Sequence, residues 1–230
     1  MPDFLSIKAI FFTVLGYPMS YLEFFGALTG GVAVWLSTRA HVGSWPLGLV
    51  SVVLLFFLFY QVQLYPDMLL QVFFFVTNLL GWWRWTHPAP AEADRRDELR
   101  ISATPARGLL LSAAFVLVAT AGLGTAAGRL HEWLPLAFSQ PSAFPYLDSF
   151  TSVLSVWATF LLMGKKLACW FVWLLTDLIL TYLYFAKGIK FLGLEYAGFC
   201  LLAGYGAWHW QREYRGYAAA GPAAASAVCP

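Results

Sequence analysis

The sequence predicts an all-helical integral membrane protein with seven transmembrane helices in a three-one-three arrangement. Of its 230 residues, 60% are hydrophobic and 11% are charged, and the mean hydropathy is +0.67. A soluble domain carries about 25% charged residues, and a core of this size does not hide so much apolar surface. Residues 21–85 also align without gaps with residues 146–210, so residue 85 matches residue 210 at an offset of 125. A repeated apolar block is typical of a transporter with two related halves.

The spans follow from the length of each apolar run. About 20 apolar residues cross the hydrocarbon core as a helix. Seven runs approach that length, at 21–38, 44–64, 67–86, 107–127, 148–164, 167–186 and 192–211. The stretch Phe4–Leu15 is apolar but shorter, so residues 1–20 are predicted to form an interfacial helix or an incomplete span.

The connecting segments complete the domain organisation. Residues 87–106 are rich in charge and predict a cytoplasmic loop, whereas residues 128–147 are rich in proline and aromatic residues and predict a periplasmic loop. The Ala/Gly/Pro-rich tail at 212–230 is predicted to be disordered. The three-helix repeats are therefore 21–86 and 148–211. Because each has an odd number of spans, the linker helix 107–127 restores a parallel orientation, with the substrate site expected between the halves.

The orientation follows from the positive charges, which favour the cytoplasmic side. The predicted topology places ten Lys and Arg residues on one side and four on the other; the four are Lys8, Arg129, Lys187 and Lys190. The N-terminus is therefore expected outside the cell and the C-terminus in the cytoplasm. An extra span at 4–16 would move only the N-terminus.

Several function classes are disfavoured. A net charge of +2 argues against nucleic acid as a partner. The three cysteines and four histidines show no metal-ligand spacing, and the sequence has no Gly-x-Ser-x-Gly, His-Glu-x-x-His or phosphate-binding loop motif. We therefore expect neither an enzyme nor a bound cofactor or metal, and the lipid bilayer is the expected environment.

Polar residues in the third span form one candidate binding face. Asp67, Gln71 and Asn78 lie at i, i+4 and i+11, on one side of a helix. Carboxamides donate and accept hydrogen bonds and suit a substrate amide or hydroxyl groups. Helix–helix contact is the alternative for Gln71 and Asn78, and a helix N-cap is the alternative for Asp67.

The sixth span combines aromatic rings with an acid. Trp170, Trp173, Asp177 and Tyr184 form one stripe, with Thr176 beside it. An aromatic stripe alone is more often core packing, but an intramembrane acid on the same face favours a site for a flat, cationic heterocycle. Asp177 pairing with a lysine or sustaining the fold is the alternative.

Two residues of the second span are further candidates: Trp45, which precedes Pro46 at the start of the helix, and Gln61 near the outer end. The tryptophans that end the third and seventh spans are typical of an interfacial aromatic belt. The fifth span has a small polar face that we interpret mainly as helix packing; it comprises Asp148, Ser152, Ser155 and Thr159.

The stretch Trp45–Trp85, with Leu64–Met68, Gln71 and Gly81–Trp85, resembles the PnuC family of bacterial vitamin B3 transporters, as do Trp173–Asp177 and Tyr205–Trp208. The resemblance covers residues 21–211. It implies nicotinamide riboside as the substrate, a fold similar to SWEET sugar transporters, a homotrimer, and facilitated diffusion with trapping by cytoplasmic phosphorylation. It also implies a bacterial inner membrane, so that the outer side, with the N-terminus, is the periplasm.

The implied substrate agrees with the residues described above. Trp173 or Tyr184 would cover the cationic pyridinium, Gln71 and Asn78 would bind the carboxamide or ribose, and Asp177 would offset the charge or orient a neighbour. A carrier of thiamine or of a sugar with the same architecture remains an alternative, as does proton coupling through Asp177. A membrane-embedded enzyme is a further alternative, which the missing catalytic motifs disfavour.

Overall fold

The computed structural model describes residues 6–14, 17–61, 65–94, 97–133, 144–186 and 190–219. In this part of the chain, seven α-helices follow a short antiparallel hairpin with the strands β1 (Ile10–Val14) and β2 (Tyr17–Ser20). The helices are α1 (Tyr21–Thr38), α2 (Ser44–Gln61), α3 (Tyr65–Thr86), α4 (Ala106–Trp133), α5 (Pro145–Met163), α6 (Ala168–Ala186) and α7 (Lys190–Ala219). The prediction of seven helices is confirmed.

The helices have the surface of a membrane protein. Four of them, α2, α4, α5 and α6, are long and apolar enough to cross a membrane by length and composition. On α4, Leu110, Leu117 and Val118 are 72%, 66% and 74% exposed, which water would disfavour and lipid does not. Because helices satisfy their own backbone hydrogen bonds, they are suited to span the hydrocarbon core.

Residues 1–100 form one compact unit and residues 101–230 another. In the first unit, α2 packs against both α1 and α3. Ser51 on α2 donates its hydroxyl to the Gly26 carbonyl of α1 at 2.8 Å, so a side-chain bond joins the two helices. The start of α1 is capped by Ser20, whose hydroxyl accepts from the Glu23 backbone N–H at 3.2 Å.

The N-terminal segment differs from the prediction. Residues expected to form an interfacial helix or an incomplete span instead form the hairpin, whose first strand reads Ile-Phe-Phe-Thr-Val. Short apolar runs rich in aromatic and β-branched residues fit strands as well as helices. The Phe11 ring packs on Tyr21 and Phe24 at 4.8 and 5.0 Å, which holds the hairpin on α1. Residues 1–5 and 15–16 lie outside the described part.

In the second unit, α5 packs on α4 and α6, and α6 packs on α7. A buried cluster of Val116, Val153 and Leu154 joins α4 to α5. The helix expected to act as a separate linker is therefore packed within the second unit. It also continues to Trp133, into the segment expected to begin the periplasmic loop; residues 134–143 lie outside the described part.

The repeat is visible in the backbone of two turns. Ala40, after α1, and Lys165, after α5, have positive φ angles of 53° and 45°. Their N–H groups donate to Ser37 and Leu162, in each case at 2.9 Å. These positions are related by the offset of 125, so the sequence repeat corresponds to a structural one.

The connection between α3 and α4 is more ordered than the predicted polar loop. In the first unit, the Leu99 N–H donates to the Trp85 carbonyl at 3.0 Å. In the second unit, the Ser102 N–H donates to the Lys165 carbonyl at 3.0 Å, and the Leu167 N–H donates to the Ser102 carbonyl at 2.9 Å. Backbone pairing therefore fixes this segment within each unit.

The C-terminal prediction is also corrected. The tail was expected to be disordered from residue 212, but α7 continues to Ala219. The added residues read Arg-Glu-Tyr-Arg-Gly-Tyr-Ala-Ala, in which Arg, Glu and Ala are good helix formers, and the Tyr217 hydroxyl donates to the Glu213 carboxylate one turn earlier at 3.1 Å. Residues 220–230 lie outside the described part.

Candidate functional site

The most regular aromatic contacts lie at the ends of α2–α3 and α6–α7. Trp45 and Trp85 meet edge to face at 5.2 Å, and Trp170 and Trp210 do so at 5.5 Å. All four rings are at most 4% exposed. The same pair recurs at the repeat offset, which indicates that both units use it to join two helices.

A glycine makes room for each pair. An ideal Cβ at Gly206 would lie 2.6–2.8 Å from three Trp170 ring atoms, and one at Gly81 would come within 3.0 Å of the Trp45 ring. No neighbour tolerates such distances without shifting. Trp45, predicted as a substrate-binding residue, is thus packed inside the first unit, which favours a structural role; its binding role stays a prediction.

On α3, Gln71 and Asn78 lie on one face, seven residues apart. Gln71 is 8% exposed, and the described part of the chain offers its carboxamide no hydrogen bond. Asn78 donates Nδ2–H to the Phe74 carbonyl at 2.7 Å, and its Oδ1 faces Gly48 on α2. Because its polar atoms are not among the fully enclosed ones that lack a partner, the Gln71 carboxamide is accessible and its donors and acceptor are open to a ligand.

Gln61 has partners at both ends of its amide. Its Oε1 accepts from the Ile7 N–H, and its Nε2 donates to the Phe57 carbonyl, both at 3.1 Å. These bonds fasten the N-terminal segment to the end of α2, so they favour a structural role over the predicted substrate contact. Asp67 lies in α3, but its side chain is outside the described part.

The acid on α6 is buried. Asp177 is 4% exposed, and among the described residues its carboxylate has no hydrogen bond or ion pair. Trp173, one turn earlier on the same face, is half-buried. Thr176 is fully buried and donates to the Val172 carbonyl at 2.9 Å, which leaves its hydroxyl engaged within the helix. An acid beside an indole ring is therefore the main chemical feature of this face.

Tyr184, two turns further along α6, stacks on Tyr196 of α7 with centroids 5.3 Å apart and planes at 13°. Tyr196 was not singled out from the sequence. The signal that points to it is its alignment with Gln71 at the repeat offset. The second unit therefore has a stacked tyrosine at the position where the first unit has the Gln71 carboxamide.

The hydroxyl groups on the polar face of α5 are bonded within the helix, and its interpretation as a helix-packing face stays a prediction. Ser152, Ser155 and Thr159 each donate a hydroxyl to the carbonyl four residues earlier, at 2.8–2.9 Å. Such bonds satisfy hydroxyl groups in a membrane without a ligand.

The structure brings the candidates together in two sets, one in each unit: Gln71 and Asn78 on α3, and Trp173, Asp177 and Tyr184 on α6. Their chemistry is that of noncovalent binding, with rings, carboxamides and one acid. Within the described residues, no group of three His, Cys, Asp or Glu side chains is placed to hold a metal.

Known proteins resemble the chain over most of its length. A family model described as nicotinamide mononucleotide transporter matches residues 20–212. The nicotinamide riboside transporter PnuC of Escherichia coli is 29% identical over 232 residues, covering 93% of this chain and 96% of that protein. The riboflavin/roseoflavin transporter RibM of Streptomyces davaonensis is 28% identical over 206 residues, covering 89% and 91%.

The fold has a solved counterpart. The crystal structure of the vitamin B3 transporter PnuC matches with a TM-score of 0.64 at 24% identity, covering 85% of this chain and 82% of that one. The seven-helix fold is thus shared with a solved transporter, and the family match extends from the end of the hairpin into α7. The chain belongs to the nicotinamide mononucleotide transporter family, the PnuC family of membrane transporters, whose members are carriers and not enzymes.

Proposed function

We propose that this chain carries nicotinamide riboside into the cell by facilitated diffusion, through alternating access of its two repeats, with trapping by cytoplasmic phosphorylation. Relatives named as nicotinamide riboside transporters support the substrate. The catalytic and nucleotide-binding motifs sought in the sequence are absent, which fits a carrier that does not power accumulation itself.

One observation carries the choice of substrate: the Asp177 carboxylate is buried in a membrane-spanning helix without a described partner. An isolated buried charge is unfavourable, and an opposite charge nearby relieves it. The pyridinium of nicotinamide riboside is a flat cation, so it supplies that charge and presents a face to Trp173. A neutral substrate offers Asp177 no such compensation.

The polar groups of α3 suit the rest of the molecule. Gln71 has a carboxamide with no described partner, and Asn78 keeps one N–H beyond its bond to Phe74, with its oxygen beside Gly48. We assign them to the substrate carboxamide and ribose hydroxyls. Carboxamides both donate and accept hydrogen bonds, so they suit the neutral polar groups of the riboside.

The finer organisation is also proposed. The charge asymmetry supports a periplasmic N-terminus and a cytoplasmic C-terminus, and the family resemblance supports a homotrimer. Activity of a cytoplasm-dependent reporter fused to the C-terminus tests the orientation, and native mass spectrometry in detergent tests the oligomer. An inactive reporter or a monomeric mass would contradict these assignments.

A second candidate substrate is riboflavin, which the 28% identity to RibM favours. Its isoalloxazine ring is flat but uncharged, so it would stack on Trp173 without pairing with Asp177. The charge of the carried molecule therefore separates the two candidates.

The experiment is uptake into proteoliposomes of labelled nicotinamide riboside, riboflavin and thiamine. We expect nicotinamide riboside to enter until its internal and external concentrations are equal. Trp173→Ala and Asp177→Asn should slow this uptake at least tenfold, while Phe171→Ala, which removes a ring that is 55% exposed on the same helix, should not. Selective uptake of riboflavin refutes the substrate, and accumulation above the external concentration refutes facilitated diffusion.

A further inference from the structure

The two repeats exchange large and small residues at one pair of aligned positions, which are in contact in the first unit. In the first unit, Gly48 on α2 faces Asn78 on α3. At the offset of 125, Gly48 aligns with Trp173 and Asn78 aligns with Ala203. The first repeat thus has a small residue, Gly48, on its middle helix and a larger polar one, Asn78, on its third helix. The second repeat has the large Trp173 on its middle helix and the small Ala203 on its third helix.

We infer that Gly48 is a positioning residue for the substrate-binding carboxamide of Asn78, an inference that rests on the proposed function. An ideal Cβ at Gly48 would come within 3.0 Å of Asn78 Oδ1 and 3.1 Å from its Cγ. The absence of a side chain at residue 48 therefore allows the carboxamide to lie where it does.

A second constraint fixes the direction of the Asn78 carboxamide. Its Nδ2 donates one hydrogen to the Phe74 carbonyl at 2.7 Å. With the nitrogen held by α3 and the oxygen beside Gly48, the side chain has one orientation, and its second N–H is left for a ligand. A group held in one orientation before binding loses less entropy when the substrate arrives.

In the second repeat, the residues aligned with this contact are Trp173 on α6, which is half-buried, and Ala203 on α7, which is 2% exposed. At this pair of aligned positions, the first repeat therefore has a carboxamide on its third helix, and the second repeat has an indole on its middle helix. Identical repeats would have the same side chain at both aligned positions, so this exchange makes the two units chemically different there.

The test is a double-mutant cycle on the purified chain with Gly48→Ala, Asn78→Ala and the double variant. Affinity for nicotinamide riboside, riboflavin and thiamine is measured by calorimetry, and thermal unfolding in detergent is measured beside it. We expect Gly48→Ala and Asn78→Ala each to weaken binding of the carried ligand about tenfold, and the double variant to be no weaker than either one.

Gly31→Ala is the matched control, because it makes the same change on a helix of the same unit with nothing within 4 Å of the added carbon. It should keep wild-type affinity. In the thermal measurement, Asn78→Ala should relieve the destabilisation caused by Gly48→Ala, since it removes the clashing atoms.

The outcomes separate the inference from the proposed function. Additive losses of affinity, or unchanged affinity in a folded Gly48→Ala variant, overturn the positioning role. A wild-type chain that binds riboflavin instead of nicotinamide riboside refutes the proposed substrate. The positioning role of Gly48 is then tested with the riboflavin affinities of the same four proteins. A thermal penalty of Gly48→Ala that persists in the double variant overturns the contact itself, whichever ligand binds.

Discussion

Gly206→Ala tests whether the paired tryptophans depend on a missing side chain. The added Cβ would lie 2.6, 2.7 and 2.8 Å from three ring atoms of Trp170, whereas ordinary contacts begin at 3.4 Å. The ring must therefore retreat by about 0.8 Å, the difference between 3.4 and 2.6 Å. Trp170 is 2% exposed and packs on Trp210, so there is little free space for that movement.

The cost follows from two opposing effects. Overpacking a filled core costs about 1–3 kcal/mol, while replacing glycine by alanine inside a helix contributes about 1 kcal/mol of stability. Gly204→Ala, two residues earlier on α7, has nothing within 4 Å and isolates the second effect. The free energies of unfolding of the two variants should thus differ by about 1–3 kcal/mol, with Gly206→Ala the less stable.

Thermal unfolding in detergent measures this difference. At about 2–4 °C per kcal/mol for a chain of this size, the two melting temperatures should lie about 2–12 °C apart. The penalty should shrink in a Trp170→Phe background, where the ring is smaller. Equal melting temperatures for Gly206→Ala and Gly204→Ala would refute the packing argument.

Three further changes test individual contacts. Ser102→Pro removes the N–H that donates to the Lys165 carbonyl and should lower the free energy of unfolding by about 1 kcal/mol, whereas Ala103→Pro should not. Equal melting temperatures of the two proline variants would contradict this backbone pairing. Gln61→Ala removes the acceptor of the Ile7 N–H and should speed tryptic cleavage after Lys8, and an unchanged rate of cleavage would count against that tether. Ser51→Ala removes the bond from α2 to Gly26 and should lower the free energy of unfolding by about 1 kcal/mol. Ser152→Ala is the control, because Ser152 is exposed and bonded within its own helix. Similar losses of stability in the two variants would refute an interhelical role for Ser51.

Much of the fold could be predicted because membrane helices are long apolar runs, and each observed helix begins within three residues of its predicted start. The N-terminal hairpin could not, since a short apolar run fits either a strand or a helix and its choice depends on packing against α1. The extension of α7 was not predicted because residues 212–219 are too polar to continue an apolar run, although Arg and Glu favour helix.

The candidate site could be predicted only as sets of residues on single helices. Helical spacing placed Trp173 beside Asp177, and Gln71 on the same face as Asn78. It could not show that Gln61 is engaged by the N-terminal segment or that Asn78 packs against Gly48, because those partners come from other elements. The repeat alignment pairs Gly48 with Trp173, but it does not show what either residue touches. The contact of Gly48 with Asn78 in the first unit gives a physical reason for the small residue at position 48.

The central claim is that Asp177 provides the counter-charge for a cationic riboside. The most direct measurement is calorimetric binding of nicotinamide riboside and of its reduced form, which has nearly the same shape but no ring charge. A charge pair about 4 Å apart is worth about 4 kcal/mol at an effective dielectric constant of 20. The account predicts at least tenfold preference of the wild-type chain for the cation and loss of that preference in Asp177→Asn. Equal affinity of the wild-type chain for the two forms would contradict it.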